Sequence, residues 1–389
     1  MRILYIHSTP VPPSRDPRTD RFFLFSETME GDVLQPVWFR TAEEVEAELG
    51  PGSFPVYERG RFRYHWFLAM LPDGRNRSRL RQFWFFIRKS LELHRQHAFD
   101  CVVAYSHMTT GLVAAVVKAL TGSKLILELA TDPRRVYVTE HARPTMRDRI
   151  MKLYSDVCLH LSLWSVDRVH LLNATQIAGY PLLRRVKASV FHDFVPVSMV
   201  PAHVEGDEKY VVMVGSPWYL KGADRLIEAF RRLAADFPDV KLKIVGWYRQ
   251  TDREQLEALA GDSKQIELVR AAPNSVILPV ISRSLALAHP SRCEGGPRTV
   301  LEALAAGIPV VGSDVGWIPE LIRDGENGFV VPGGNVRELE ARLRELLADE
   351  SLRRRLGANS YALAHTKLTE QIYVSRFTEM VAAAVRGGA

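Results

Sequence analysis

The 389-residue chain is long enough for two core-forming domains, and its 47% apolar and 25% charged residues are those of an ordinary globular protein. Its three cysteines, Cys101, Cys158 and Cys293, are too few and too scattered for a disulfide framework or a cysteine-ligated metal, which suits a reducing compartment. The chain opens on a short strand at residues 3–6 rather than on a signal-peptide core. Its longest apolar stretch, 111–120, is interrupted by Lys118, so no membrane span is expected and the protein is read as cytoplasmic.

The net charge of +6 is unevenly placed. Residues 1–200 hold 27 Lys/Arg against 20 Asp/Glu (27 − 20 = +7), and residues 201–389 hold 24 against 25 (24 − 25 = −1). Between Arg59 and Arg95 basic residues interleave with Phe62, Tyr64, Trp66, Phe67, Phe83, Trp84, Phe85 and Phe86. Nucleic acid, an anionic membrane surface or a phosphorylated acceptor would each suit that mixture. So would an amphipathic helix with arginines snorkelling over a core face.

After the first strand, Asp16-Pro17 reads as an N-cap with proline at the first helical position. A helix through Phe22, Phe25 and Met29 is predicted to follow and to end at Gly31. Then come a strand at 101–105, a helix at 110–120 and a strand at 124–129. Short apolar strands alternating with helices predict a parallel sheet covered on both faces. Residues 198–209 lack any apolar period and read as a linker. Beyond it the alternation restarts: strands at 211–214, 242–245, 266–269, 285–288 and 310–311, with a helix at 224–233. Residues 369–385 are predicted to be helical, with Ile372, Phe377, Met380 and Val381 on the apolar face. The fold class is therefore α/β: two Rossmann-like parallel-sheet domains, 1–200 and 201–365, with a C-terminal helix at 366–389 that could pack back on the first. Their ligand cleft is expected between them, at the carboxyl ends of the strands.

The most informative segment is 289–312, His-Pro-Ser-Arg-Cys-Glu-Gly-Gly-Pro-Arg-Thr-Val-Leu-Glu-Ala-Leu-Ala-Ala-Gly-Ile-Pro-Val-Val-Gly. A strand ends near Pro290, Glu294 opens a glycine-rich turn, and Pro297 suits the first turn of a helix that stops before Gly307 and Pro309. The backbone N–H groups of Gly295, Gly296 and Arg298, with the positive end of the helix, make a ready anion site. Glu294 in the loop and Glu302 on the helix can both face one ligand, each accepting hydrogen bonds from vicinal hydroxyls. Taken alone, the same glutamates could equally be a helix cap and a solvated helix residue.

The segment resembles the E-x7-E signature of the group 1 (GT4) retaining glycosyltransferases, which have the GT-B fold. By that resemblance Glu294 touches the transferred sugar, Glu302 binds the nucleotide ribose, and Gly295, Gly296, Pro297, Arg298 and Thr299 border the donor. Residues 214–230, Val-Gly-Ser-Pro-Trp-Tyr-Leu-Lys-Gly-Ala-Asp-Arg-Leu-Ile-Glu-Ala-Phe, are similar to a second family motif. There Gly215 ends a strand and Lys221 stands beside a helix N-terminus, so a diphosphate would meet both an ammonium and backbone donors. Residues 315–328 and 243–246 also match, and the loop Trp247-Tyr248-Arg249 is read as lining the nucleobase site.

Several positions depart from the family pattern. Ser216 stands where an arginine usually helps neutralise the diphosphate, leaving Arg292, Arg298 and Arg18 as substitute cations. Trp317 stands where a second glycine is common, and Ala130 occupies a usual histidine position in 127–132. The family's N-terminal catalytic histidine corresponds to Tyr105 or, two residues on, to His107; Arg18 and Asp132 are placed on the acceptor side. The resemblance implies a metal-independent, cofactor-free transfer from a nucleotide-diphosphate sugar to a glycan or lipid-linked acceptor of a surface polysaccharide or glycoconjugate. Peripheral contact with an anionic inner membrane face is a further expectation, and nucleic acid is not an expected partner. A nucleotide-sugar epimerase on the same fold, or an inactive nucleotide-sugar-binding protein, would carry much of the same pattern.

Overall fold

The computed structural model describes residues 1–8, 13, 16–132 and 144–387, except for the side chains of 18, 178, 179 and 181. The chain divides into two compact units. The first combines Met1–Ala130, Leu153–Phe191 and Gln371–Ala389; the second combines Thr131–Lys152 and His192–Glu370. The division is therefore not the linear one at residue 200, because the chain leaves and re-enters each unit.

Eight strands form the sheet of the first unit among the described residues: β1 (Arg2–Ile6), β2 (Glu30–Val37), β3 (Val56–Arg59), β4 (Phe62–Leu68), β5 (Cys101–Tyr105), β6 (Lys124–Leu129), β7 (Arg168–Leu171) and β8 (Ala188–Val190). Their order is β3-β4-β2-β1-β5-β6-β7-β8, parallel throughout except for the β3–β4 hairpin. β5 (Cys-Val-Val-Ala-Tyr) is almost wholly buried, as expected of a central parallel strand with both faces covered. The last helix, Glu370–Val385, presents Tyr373, Phe377, Met380, Val381 and Ala384 inward at helical spacing. Phe377 stacks on Phe25 with ring centroids 4.4 Å apart.

Two readings of this half need correction. The helix expected to run to Gly31 is only Arg21–Phe25, capped by Asp20, whose carboxylate accepts from the Phe22 amide at 2.9 Å. It follows a 3-10 turn at Pro17–Thr19. Gly31 lies in β2 opposite Ile3, because pairing with β1 captures the residues that might have extended the helix. The aromatic run after Arg59 is not one amphipathic helix. It is the β3–β4 hairpin followed by the helix Arg79–Gln96. Phe62, Tyr64, Trp66, Phe67 and Phe86 are buried there, so core packing accounts for most of these rings.

The second unit carries β9 (Lys209–Val214), β10 (Val240–Gly246), β11 (Ile266–Arg270), β12 (Ala286–His289), β13 (Val310–Ser313) and β14 (Gly328–Val331). All pairs are parallel, in the order β11-β10-β9-β12-β13-β14. The helix Ala223–Leu233 buries Ala223, Leu226, Ile227, Phe230 and Leu233 against this sheet. Asp224 in its first turn and Arg231 and Arg232 in its last complement the helix dipole. The strand order reverses between β9 and β12, and ligands of open α/β sheets bind at such a reversal, beyond the carboxyl ends of the strands.

The aromatic stack predicts that Phe377→Ala lowers unfolding free energy by roughly 3–5 kcal/mol, the usual loss for a large buried ring. Urea denaturation followed by circular dichroism checks it. A change below about 1 kcal/mol would show that the last helix is not part of this core.

Candidate functional site

β9 and β12 are neighbours in the sheet, so the loops leaving them emerge side by side. Gly215 leaves β9 with φ 148°, against the methylene chain of Lys221. Lys221 closes the short turn Trp218–Lys221, and Gly222, in the left-handed conformation, starts the next helix. A Cβ at Gly222 would stand 2.1 Å from the Pro290 carbonyl oxygen, so only glycine lets the two loops approach this closely. Arg292 secures the same junction: its guanidinium pairs with both Asp224 oxygens at 2.8 and 2.6 Å and lies over the Tyr219 ring at 3.6 Å. That cation is therefore committed to holding the loops together.

Glu294 sits in the centre of this junction. Its Oε1 accepts from Lys221 Nζ at 2.6 Å and from Ser291 Oγ at 2.7 Å, and lies 2.8 Å from His289 Nε2. Burial by itself pushes a carboxyl up, but the Lys221 ammonium and the His289 hydrogen bond outweigh it and hold Glu294 at about 2. All three contacts end on the same oxygen, and no bond among the described residues is made to Oε2.

The following helix is Arg298–Ala306, with Pro297 at the N-cap position instead of inside the first turn. The Pro297 ring carries no acceptor, so the first amides of this helix, beside the Glu294 turn in sequence, receive no side-chain cap. Glu302 is buried one turn further on, and burial pushes its carboxyl up to about 7 although Arg298 pulls the other way. Arg298 Nε is 3.6 Å from Glu302 Oε1, beyond hydrogen-bonding distance. The two signature glutamates therefore occupy opposite electrostatic environments.

Departures from the family pattern have structural counterparts. Ser216 Oγ accepts from the Trp247 amide at 2.6 Å and donates to its carbonyl at 3.1 Å, pinning the loop after β10. Trp317 is fully buried, and its indole lies where a Cβ on Gly296 would come within 2.4 Å of the ring. Tyr248 packs into the core and donates to the Ile244 carbonyl at 3.0 Å, whereas Trp247 is 65% exposed. Of the loop read as lining the nucleobase site, only Trp247 remains a free aromatic surface.

A second feature marks this turn. His289 Nδ1, Arg298 Nε, Thr299 Oγ1 and Trp317 Nε1 are buried without a hydrogen-bond partner among the described residues. Orphaned buried polar atoms are uncommon in native proteins, and four at one turn point to groups that a ligand satisfies. His289 and Ser291 were not singled out from the sequence, although both stand in the segment that contains Glu294. Their signal was positional: a strand-end histidine and a serine five and three residues before the glutamate.

His107 belongs to the first unit. It follows β5, beside the reversal of strand order between β1 and β5, and is buried with Nε2 2.7 Å from Ser155 Oγ. Ser106 before it has φ 94°, the only positive φ of a non-glycine residue among those described. Such strain persists only where the surroundings enforce it. Tyr105, the other candidate for the family histidine, stacks on His7 with centroids 4.8 Å apart. Asp132 is buried next to residues 133–143, which lie outside the described residues, as does the Arg18 side chain.

A further cluster at the carboxyl edge of this sheet was not foreseen. Glu128 accepts from Tyr5, lies 3.4 Å from Arg21 Nη1 and 2.8 Å from His170 Nδ1, while His170 Nε2 faces the Phe191 carbonyl at 3.1 Å. Burial would raise the Glu128 carboxyl, but Arg21 and then His170 hold it at about 2. Its members lie at positions 5, 21, 128 and 170, too far apart for any local pattern to link them.

With this geometry in view, comparison with known proteins is decisive for the second unit. Residues 199–363 match the family described as Glycosyl transferases group 1. This stretch is a group 1 glycosyltransferase domain. Among curated relatives, a GDP-mannose-dependent alpha-(1-6)-phosphatidylinositol monomannoside mannosyltransferase of Mycolicibacterium smegmatis is 33% identical over 172 residues, 42% of this chain and 44% of that protein. An uncharacterized glycosyltransferase of Methanocaldococcus jannaschii is 28% identical over 155 residues, 40% of this chain and 43% of that one. The chain thus spans less than half the length of the curated relatives it matches. Among solved structures, sucrose-phosphate synthase from Thermosynechococcus elongatus superposes with a TM-score of 0.78 at 16% identity, with both chains covered completely. HepE of Anabaena in complex with UDP-glucose gives 0.69 at 17% identity, again over both whole chains. The group 1 domain and its partner unit therefore have the GT-B fold.

Glu302 supplies a pH test. Its folded value of about 7 lies above the ordinary 4.5, so between those values the native protein keeps a proton that the unfolded chain has released. Stability contributed by this group therefore falls as pH rises through that window. Glu302→Gln removes that slope. Urea unfolding at about pH 5 and pH 7.5 should show the wild type losing roughly 2–3 kcal/mol relative to the variant. Parallel pH profiles would mean that Glu302 is already ionised when folded.

Proposed function

We propose that the protein is a retaining glycosyltransferase that takes a nucleotide-diphosphate sugar at the Glu294–Glu302 turn and passes the sugar to a glycan or lipid-linked acceptor. The observation that carries this reading is the group of orphaned polar atoms on His289, Arg298, Thr299 and Trp317, gathered around two carboxylates and a helix N-terminus. Relatives named for GDP-mannose-dependent transfer and a fold neighbour bound to UDP-glucose support the donor class.

In this reading Glu294 Oε2 accepts from a hydroxyl of the transferred sugar, while Lys221, His289 and Ser291 keep the carboxylate fixed and charged. Glu302 accepts from the ribose hydroxyls, which favour its ionised form. The Arg298 and Thr299 amides, the Lys221 ammonium and the Arg298 guanidinium meet the diphosphate, in the place of the arginine that Ser216 replaces. Trp247 is available to stack on the base. The bond from the anomeric carbon to the diphosphate oxygen breaks, and the acceptor hydroxyl bonds to the same face of that carbon. The hydroxyl proton leaves on the departing phosphate. Charge on the leaving group is stabilised by oriented donors, so transfer needs no metal ion and persists in a chelator. The first unit, with His107, holds the acceptor for surface polysaccharide or glycoconjugate synthesis.

A thermal-shift panel of UDP-, GDP-, ADP- and dTDP-sugars identifies the donor, since a ligand that binds only the folded state raises its melting temperature. With that donor, Glu294→Gln and Lys221→Ala should each lower transfer about 10²–10³-fold, the usual loss when an electrostatic contact to the reacting group is removed. Undiminished transfer in both variants would overturn the assignment. An epimerised donor recovered without acceptor would move the protein to a nucleotide-sugar epimerase.

A further inference from the structure

The helix Met146–Ser165 lies in the first unit from Leu153 onward and leaves much of its apolar surface exposed. Ser155, Cys158, Leu159, Ser162 and Leu163 face inward, and both serines bond to His107: Ser155 at Nε2, and Ser162 by donating to the carbonyl at 2.9 Å. Outward, at a spacing of four, four and three, stand Leu153, Val157, Leu161 and Trp164, exposed by 66, 49, 48 and 90%. Isolated exposed apolar residues are normal, but a continuous row along one helix face marks a surface that something covers.

The row runs into a cavity of about 940 Å³ at the amino-terminal edge of the sheet, where β6, β7 and β8 begin. This edge is opposite the one that carries His107 and the Glu128 cluster. Leu161 and Trp164 belong to row and cavity alike, and Leu182 and Val186 continue the apolar wall. Four cations line the cavity, Lys124, Arg168, Arg185 and Lys187, against the single carboxylate Asp167, which Lys118 holds at 2.6 Å and Lys124 approaches at 3.9 Å. Arg168 is 8% exposed, yet its Nε lacks a hydrogen-bond partner among the described residues, while its Nη1 donates to Ser189 Oγ at 3.3 Å. A buried guanidinium with an unused donor in a cationic cavity suits an anion, and the apolar row beside it suits hydrocarbon.

We infer that this face of the first unit docks on an anionic lipid bilayer, with the Leu153–Trp164 row entering the interface and the Arg168 cavity receiving a lipid phosphate. A second copy of the chain fits less well. A two-fold interface would set the same four cations against their own image, whereas an anionic leaflet neutralises them. A free phosphate would leave the exposed row uncovered. The inference is independent of the donor assignment, because it concerns the opposite edge of one unit and is tested without any nucleotide sugar.

The test is flotation of the full chain with phosphatidylcholine vesicles, with and without about one third phosphatidylglycerol. Binding to the anionic vesicles only, and its loss near 0.5 M salt where the Debye length falls to about 4 Å, is expected. Leu161→Ser/Trp164→Ser should weaken vesicle binding at least about tenfold, and Arg168→Gln/Arg185→Gln should remove its dependence on anionic lipid. Circular dichroism melts identify any variant that has simply unfolded, and exposed Leu161 and Trp164 can be replaced without opening the core. Equal binding to neutral vesicles, no binding, or unchanged binding by the Leu161/Trp164 variant overturns the inference. So does a wild-type dimer in light scattering that this variant converts to monomer without any vesicle binding. Stabilisation by inorganic phosphate without flotation would also overturn it, leaving only a phosphate site.

Discussion

The site in the second unit depends on one oxygen atom. Glu294 Oε1 lies within hydrogen-bonding distance of Lys221, His289 and Ser291, side chains from the end of β12, the loop after it and the loop after β9. A carboxylate taken out of water is costly unless paired and hydrogen-bonded, and here the geometry meets that demand at a single point. Because Lys221 comes from the other loop, the arrangement also joins two strand ends that adjacency in the sheet only brings near. Asp224 with Arg292, and the absence of a side chain at Gly222 under the Pro290 carbonyl, repeat the join a few ångströms away. Lys221 is therefore both part of the electrostatics of the site and a tie that shapes it.

The two signature glutamates show how environment separates identical side chains. Both are buried, so desolvation alone would push both carboxyls up. Glu294 has an ammonium and a histidine at hydrogen-bonding distance and stays at about 2; Glu302 has only Arg298 at 3.6 Å and rises to about 7. The first is a fixed acceptor across the physiological range. The second can exchange a proton near neutrality, so hydroxyl donors arriving beside it would change its ionisation. Pairs of titratable groups pushed apart in this way mark places where acceptor and donor roles are divided.

Much of this was legible in the sequence where local pattern and tertiary demand agree. The run Lys124–Leu129 is apolar and β-prone and lies in the middle of a sheet, so its limits were read directly. The turn at 294–298 was legible because glycines, a proline and a following apolar helix each permit few conformations. The 16–31 region was not, since a short helical period competes there with strand pairing, and β1 prevails. Aromatic residues after Arg59 were ambiguous because a surface helix and a buried hairpin both use large rings, and only the fold decides. Trp317 looked like a departure from a glycine position; its indole instead fills the space that Gly296 leaves open. The Glu128 cluster escaped notice altogether, since its residues meet only through the order of β1, β6 and β7.

The helix that carries the exposed apolar row also meets a demand from buried polar groups. His107 is held inside the first unit beside the strained Ser106, and its ring nitrogen and carbonyl both need partners there. Ser155 and Ser162, seven residues apart on one face, supply them. Beside them Cys158, Leu159 and Leu163 are buried, so the inner face is part polar and part apolar. Leu153, Val157, Leu161 and Trp164 are left on the outer face, where water is a poor neighbour for them. Polar satisfaction around one histidine and burial of Leu159 and Leu163 together fix which way the helix faces, and the apolar row on the surface is what remains outside.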